Sequence, residues 1–388
     1  MTKFDCIVVG GGMVGAASAL SMAQLGLSVA IVEAFPAKAF SDDQAYDLRV
    51  SAFSLGSQSM LEQLGAWQQL SQWRSCSYSR LGVWEQQYAY TEFKAEEISQ
   101  PHLGHIIENR LVQLALWQQL VNHPKVSCFC PDTLKEFEQT DSEVIVELAS
   151  QTITGRWLIA ADGANSKVRQ LTGIGITGWD YQQSAMLINV ETSLPQQNIT
   201  WQQYLANGPV AMLPMPGNNA SLVWYDTRDE IQRLVNLSNE QLTLAIHQHF
   251  PEKLGKVKVI DKAAFPLTRR HANNYFANRV VLLGDAAHTI NPMAGQGVNI
   301  GFKDVVALRN VVAKAIGEGE NWATTRVLTQ YERERRTDNL MMMTTMDALY
   351  TGFKHPSPMI KFARNAGLSL IDKLPFAKRK ALAYACGI

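Results

Sequence analysis

Short apolar runs that stop at a glycine or an acid recur along the chain. Cys6-Ile7-Val8-Val9 runs into glycines, Met13 to Leu25 is dense in Ala and Leu over a helical length, and Val29-Ala30-Ile31-Val32 stops at Glu33. Strand, tight turn, helix and strand in that order predict the βαβ unit of a parallel sheet, and runs apolar on both faces predict its central strands. The pattern returns in Trp157-Leu158-Ile159-Ala160-Ala161 before Asp162-Gly163, and in Val280-Val281-Leu282-Leu283 before Gly284-Asp285. Open α/β sheets bind ligands at the carboxyl ends of their strands. A fold that unites three such ends must carry other material between them. Met186-Leu187-Ile188-Asn189-Val190 and Ser221-Leu222-Val223-Trp224-Tyr225, set between Pro and Gly turns, predict a mostly antiparallel sheet from Trp179 to Pro266. After Gly295 the pattern is helical to the end.

The predicted class is therefore α/β: a Rossmann-like nucleotide-binding domain with a parallel sheet, an inserted α+β domain with a mostly antiparallel sheet, and a helical C-terminal region. Composition changes little in this picture. The 35 basic and 35 acidic side chains cancel, which argues against nucleic acid as a partner. Cys6, Cys76, Cys128, Cys130 and Cys386 are odd in number and lack a C-x-x-C pair, so reduced thiols in a cytoplasmic protein are expected, with Cys128 and Cys130 on one face of a strand. No signal peptide and no membrane-spanning run is expected, and no metal site.

Gly10-Gly11-Gly12-Met13-Val14-Gly15 fits G-x-G-x-x-G. Gly10 allows the turn, Gly12 admits a pyrophosphate, Gly15 lets helix pack on strand, and the helix N-terminus supplies free N–H groups. Glu33 stands where an acid receives a ribose 2′-OH. Gly173-Ile174-Gly175-Ile176-Thr177-Gly178 fits the same pattern, but no apolar strand precedes it, so a loop is expected there.

The second motif is Ala161-Asp162-Gly163-Ala164-Asn165-Ser166 with Val168-Arg169. The third is Gly284-Asp285-Ala286-Ala287-His288 with Pro292 and Gly295-Gln296-Gly297-Val298-Asn299. With these three in order over nearly the whole chain, the sequence resembles the flavoprotein aromatic hydroxylases, the group A monooxygenases. The resemblance implies FAD as cofactor, held by Gly10, Gly12, Met13, Val14, Gly15, Glu33, Arg49, Asn109, Asp162, Gly284 and Asp285. Asp285 would take the ribitol chain, and Pro292 through Gly297, with Val298 and Asn299, would follow the isoalloxazine. Pro292 and Gly295 are the residues expected to set the flavin face, with no protein acid or base assigned; His288 is expected to pack or hydrogen-bond rather than act as a base. The implied chemistry is oxygenation through a flavin C4a-hydroperoxide, with O2 and an NAD(P)H reductant.

The resemblance also divides the chain, with FAD-binding parts at 1–75, 106–178 and 269–340, substrate-domain parts at 76–105 and 179–268, and a helical region at 341–388. Gly82-Val83-Trp84-Glu85, Leu103 to Asn109, Trp201-Gln202-Gln203, Ser221 to Asp226 and Ala264 to His271 are similar to the branch that hydroxylates ubiquinone precursors, with His105 where the branch commonly has an aromatic residue. That implies a polyprenylated benzoquinol substrate, best matched at the demethoxyubiquinol step. Another ring position, a soluble phenol, or FAD-dependent reduction of a lipid stay open. A prenylated substrate implies peripheral contact with the inner face of a membrane and a multiprotein pathway assembly. Ile360, Ala363, Gly367, Ile371 and Leu374 recur at helical spacing beside Lys378-Arg379-Lys380. They would either pack on the protein's own core or meet that membrane. Met341, Met342, Met343 and Met346 would either line an adaptable channel or fill the core.

Overall fold

The computed structural model describes residues 2–290, 295, 297–355 and 357–388. In chain order the elements are β1 (Thr2–Val9), α1 (Met13–Gln24), β2 (Val29–Val32), β3 (Val50–Ser54), α2 (Leu55–Gln63), α3 (Trp67–Gln72), β4 (Ser75–Tyr78), β5 (Arg80–Trp84), β6 (Thr91–Lys94), β7 (Gly104–Glu108), α4 (Asn109–Val121), β8 (Val126–Phe129), β9 (Leu134–Gln139), β10 (Val144–Leu148), β11 (Thr152–Ala160) and α5 (Lys167–Thr172). There follow β12 (Ile176–Thr192), β13 (Ile199–Leu205), β14 (Gly208–Pro214), β15 (Asn219–Thr227), α6 (Arg228–Val235), α7 (Asn239–His249), β16 (Val257–Ala272), β17 (Phe276–Ala277), β18 (Val280–Leu282) and β19 (His288–Thr289). Four helices end the chain: α8 (Gly297–Gly317), α9 (Thr325–Lys354), α10 (Pro358–Asp372) and α11 (Pro375–Cys386).

The three apolar runs become neighbours in one sheet of order β17-β18-β11-β1-β2-β8. β18, β11, β1, β2 and β8 are mutually parallel, with Val9 beside Ala160 and Ala160 beside Leu282. Their carboxyl ends therefore share one edge. The sheet is sandwiched: β1, β2, β11 and β18 are buried along their inner residues, and α1, α4 and α8 supply the surrounding core. A second sheet of order β19-β16-β12-β15-β14-β13-β5-β6 is antiparallel except at β13 and β5. A third sheet, β3-β7-β4, lies at the Arg49 and Asn109 segments.

Two expectations need correction. The Gly173–Gly178 segment is not all loop: Gly173 ends α5 in the left-handed region, but Ile176, Thr177 and Gly178 open β12 opposite Ala272, His271 and Arg270. The start of β12 is exposed and carries no apolar run, so its strand is set by pairing with β16 rather than by its own pattern. Cys128 and Cys130 do not alternate along one strand either, because β8 stops at Phe129.

Candidate functional site: a dinucleotide cradle at one sheet edge

The three motifs touch each other at that edge. Gly10 has φ +100°, and a Cβ there would run into Ala161 and the Asp162 N–H, which seats the first turn on the second motif. A Cβ on Gly15 would strike the carbonyl of Gly10, so the helix can approach only as glycine. Val14 closes the other side: its side chain lies 3.2 Å from where a Gly284 Cβ would stand and 2.7 Å from that of Gly301. Met13 and Val298 pack partly buried on the same core. The Gly12 position faces open space, with nothing within 4 Å of a Cβ built there. No side chain caps α1, so its first N–H groups point into that space unpaired by any cap.

Glu33, at the end of β2, accepts from the Gly11 N–H at 2.5 Å and the Phe35 N–H at 3.0 Å. It fastens the glycine turn and keeps spare lone pairs for a ribose. From the other side Gln113 and Trp117 of α4 donate to the Gly11 carbonyl at 2.9 and 2.7 Å. Sequence reasoning missed these two; a Gln and a Trp four apart on a helix carry no distinguishing signal.

Asp162 accepts from the Val168 N–H at 3.1 Å through Oδ2, while Oδ1 is buried without a partner. The Oδ1 of Asn109 is likewise buried and unpartnered. Buried polar atoms are usually paired, so each of these oxygens is left able to accept from a ligand that supplies donors. Asn109 opens α4 and donates its N–H to the Arg49 carbonyl at 2.9 Å. Arg49 itself is exposed, and its charge acts on Asp285. Asp285 is open to solvent at the cleft, yet the walls around it raise its carboxyl above the ordinary value, a rise opposed by His288 and Arg49.

Behind Asp285 lies a buried charge network. Asp304 of α8 accepts from the Gly284 N–H at 3.0 Å, from His288 Nε2 at 2.5 Å and from Arg335 Nε at 2.8 Å. Its carboxyl is held down at about 2: burial opposes this, and His288 and Arg335 outweigh burial. Arg335 also donates to Asn339, which donates to the Tyr275 hydroxyl. His288 is thus tied into a structural network. Asp304 and Arg335 were not singled out from sequence. An acid within the apolar run of α8 was the available signal for Asp304, whereas Arg335 hides in Glu332-Arg333-Glu334-Arg335-Arg336.

Gly295 has φ +64° and lies 3.2 Å, measured from a built Cβ, from Ala52. Asn299 is buried, donating to the carbonyls of Ala52 and Gly295 and accepting from Ser54 N–H and Ser57 Oγ. Its side chain is therefore a fastener between α8, β3 and α2, and only its backbone N–H is left for a ligand. Gly297 begins α8. Pro292 and Gln296 lie outside the described residues.

His105 stands edge-on between Trp67 at 4.8 Å and His102 at 4.4 Å, doing an aromatic residue's packing. Burial pushes its pKa down to about 4, and burial does the same to His271. Both imidazoles are neutral when folded and take up protons on unfolding between the ordinary histidine value and about 4. Stability is therefore expected to fall as pH drops through that window. His105→Phe should flatten part of the fall, as read by melting temperature against pH; an unchanged slope would contradict the placement of His105.

The open Gly12 position, the uncapped helix and the orphaned oxygens of Asp162 and Asn109 fit a flavin dinucleotide laid along the edge. Comparison with known proteins agrees. The FAD binding domain family matches residues 3–344. The chain is 44% identical to 3-demethoxyubiquinol 3-hydroxylase of Escherichia coli over 99% of this chain and 98% of that one. It is 32% identical to ubiquinone hydroxylase UbiL of Rhodospirillum rubrum, covering 99% and 89% respectively. Among solved structures, p-nitrophenol 4-monooxygenase PnpA of Pseudomonas putida superposes with a TM-score of 0.80 over 98% of this chain and 97% of that one, at 20% identity, a likeness of fold. Three glycine-and-acid motifs meeting at one sheet edge, matched across residues 3–344, place the chain in the FAD binding domain family.

Proposed function

We propose that the chain is an FAD-dependent aromatic monooxygenase that hydroxylates the ring of a polyprenylated benzoquinol in ubiquinone synthesis, at the demethoxyubiquinol step. One observation supports the substrate class: a long buried apolar cluster adjoins the third motif. Ile290 and Ile300, next to the third motif, belong to a buried cluster that continues through Met342, Met343 and Met346 of α9 to Phe353. Methionine side chains adapt to a long flexible chain without fixed shape. Met341 is not part of this seam, being 54% exposed.

When bound, the flavin supplies the electron transfer and oxygen activation that side chains cannot. The chain's own groups bind and orient it. The α1 N-terminus would hold the pyrophosphate, Glu33 the ribose and Asp285 the ribitol, with Arg49 as a further FAD contact. The unpartnered oxygens of Asp162 and Asn109 would accept from donors of the bound cofactor. Pro292 and Gly295 would set the ring face, and Gln296, Gly297 and the α8 N-terminus would meet the ring edge, where a helix dipole would stabilise negative charge. One oxygen atom of O2 enters a ring C–H bond as hydroxyl. The other leaves as water, taking two electrons and a proton from NAD(P)H, the proposed reductant, and one further proton from solvent. The substrate's tail calls for peripheral contact with the inner face of the membrane, and delivery of so apolar a molecule suits a multiprotein assembly.

With isotopically labelled O2, NAD(P)H and a short-tailed demethoxyubiquinol, the holoenzyme is expected to place label in the new ring hydroxyl. Equal turnover without O2 would overturn the monooxygenase reading in favour of a reductase. A strain lacking the chain is expected to accumulate demethoxyubiquinone; an unaltered quinone profile would remove the pathway step.

A further inference from the structure

The helix α10 is amphipathic the wrong way round for water. A surface helix normally turns its apolar stripe to the core. Here the inward side is mainly polar, with Leu368 packed on the core: Arg364 grips Glu85 with two bonds of 2.7 and 2.5 Å, and Asn365 adds a third at 2.6 Å. The outward side carries Met359, Phe362 and Leu370, in register with Ala363 and Ala366, and all five are exposed. Met359 is 82% and Phe362 74% exposed, and Phe376 at the start of α11 extends the face at 74%. Asn365 is the one residue of α10 that is buried. The sequence alternative of a helix packed by its apolar stripe on the core is thus not what the fold shows.

The charges around this face choose its partner. Glu85 is paired with Arg364, and Asp372 shares Lys378 with Glu97. Lys378, although in a basic run, is buried and turned inward to Glu97 and Asp372 at 2.8 and 2.7 Å. Lys361, Lys373, Arg379 and Lys380 remain exposed at the rim. An apolar face with a basic rim suits the headgroup zone of a bilayer containing anionic phospholipid. No described helix is long and apolar enough to cross one. We infer that α10 and the first turn of α11 lie in the plane of an anionic lipid surface and dock the enzyme there. The purpose of this docking rests on the prenylated-quinol reading; the docking itself is separately testable.

The test is co-sedimentation of the FAD-loaded full chain with vesicles of phosphatidylcholine alone or mixed with phosphatidylglycerol. Binding to the mixed vesicles is expected, weakened by salt. Phe362→Glu with Phe376→Glu should lower partitioning about a hundredfold, since each removes a buried aromatic side chain from the lipid. Arg379→Gln with Lys380→Gln should lower it roughly tenfold. Flavin content, melting temperature and turnover of a short-tailed quinol should not change in either variant. Equal binding to both vesicle types, or undiminished binding by the double glutamate variant, overturns the inference. So does a dimer in solution that the glutamates dissociate while no vesicle is bound, since a second copy then covers the face. Vesicle binding as expected, with no O2-dependent turnover of the short-tailed quinol, supports docking while the hydroxylase reading fails.

Discussion

Asp304→Ala is expected to destabilise the protein by about 3–5 kcal/mol, the range found when one partner of a buried ion pair is removed. Asp304 is fully buried and answers three donors at once: the Gly284 N–H, His288 and the Arg335 guanidinium. Alanine leaves the buried Arg335 guanidinium with Asp338 as its one remaining carboxylate and frees the turn that carries Asp285. Denaturant titration should show an earlier midpoint with an unchanged slope, and a midpoint equal to wild type would refute the account. Asn at this position keeps an acceptor but loses the charge, so it should fall between the two. Acid should act in the same direction as the mutation. The carboxyl sits at about 2 in the fold against an ordinary 3.8, so its contribution is intact above the ordinary value and is lost as pH falls toward about 2.

Asp285→Ala should give a folded protein that purifies nearly without flavin. Asp285 stands at the open end of the cradle with Arg49 and His288 as its neighbouring charges. A hydrogen bond to a charged group contributes roughly 1.5–3 kcal/mol, which corresponds to about ten- to a hundredfold in FAD affinity. Visible absorbance of the purified protein and FAD titration by fluorescence measure it. Normal flavin content would remove Asp285 from the cofactor site. The two variants separate cleanly: Asp304→Ala should lose stability and flavin together, Asp285→Ala flavin alone.

The frame of the cradle was legible because its strands are buried on both faces and their sequences are shaped by burial alone. β1, β2, β11 and β18 all announce themselves as apolar runs ended by a glycine or an acid. What was not legible depends on partners remote in the chain. The exposed start of β12 is a strand only because β16 lies beside it. Gln113 and Trp117 act through single bonds to a distant backbone carbonyl, and Arg335 through its bond to the distant Asp304; residue type and spacing do not encode such bonds. The periodicity of α10 was visible, but periodicity does not say which side of a helix faces out. That was decided by the polar grip of Glu85 on Arg364 and Asn365.

The interleaving of the parallel sheet constrains how the molecule is made. β1 needs β11 on one flank, and β11 in turn needs β18. A nascent chain therefore cannot close the flavin cradle until Val280–Leu282 has emerged from the ribosome, long after the glycine turn at Gly10–Gly15. Until then β11 has an open flank, the kind of unpaired strand edge that recruits wrong partners. Acquisition of yellow colour during synthesis would thus mark a late event.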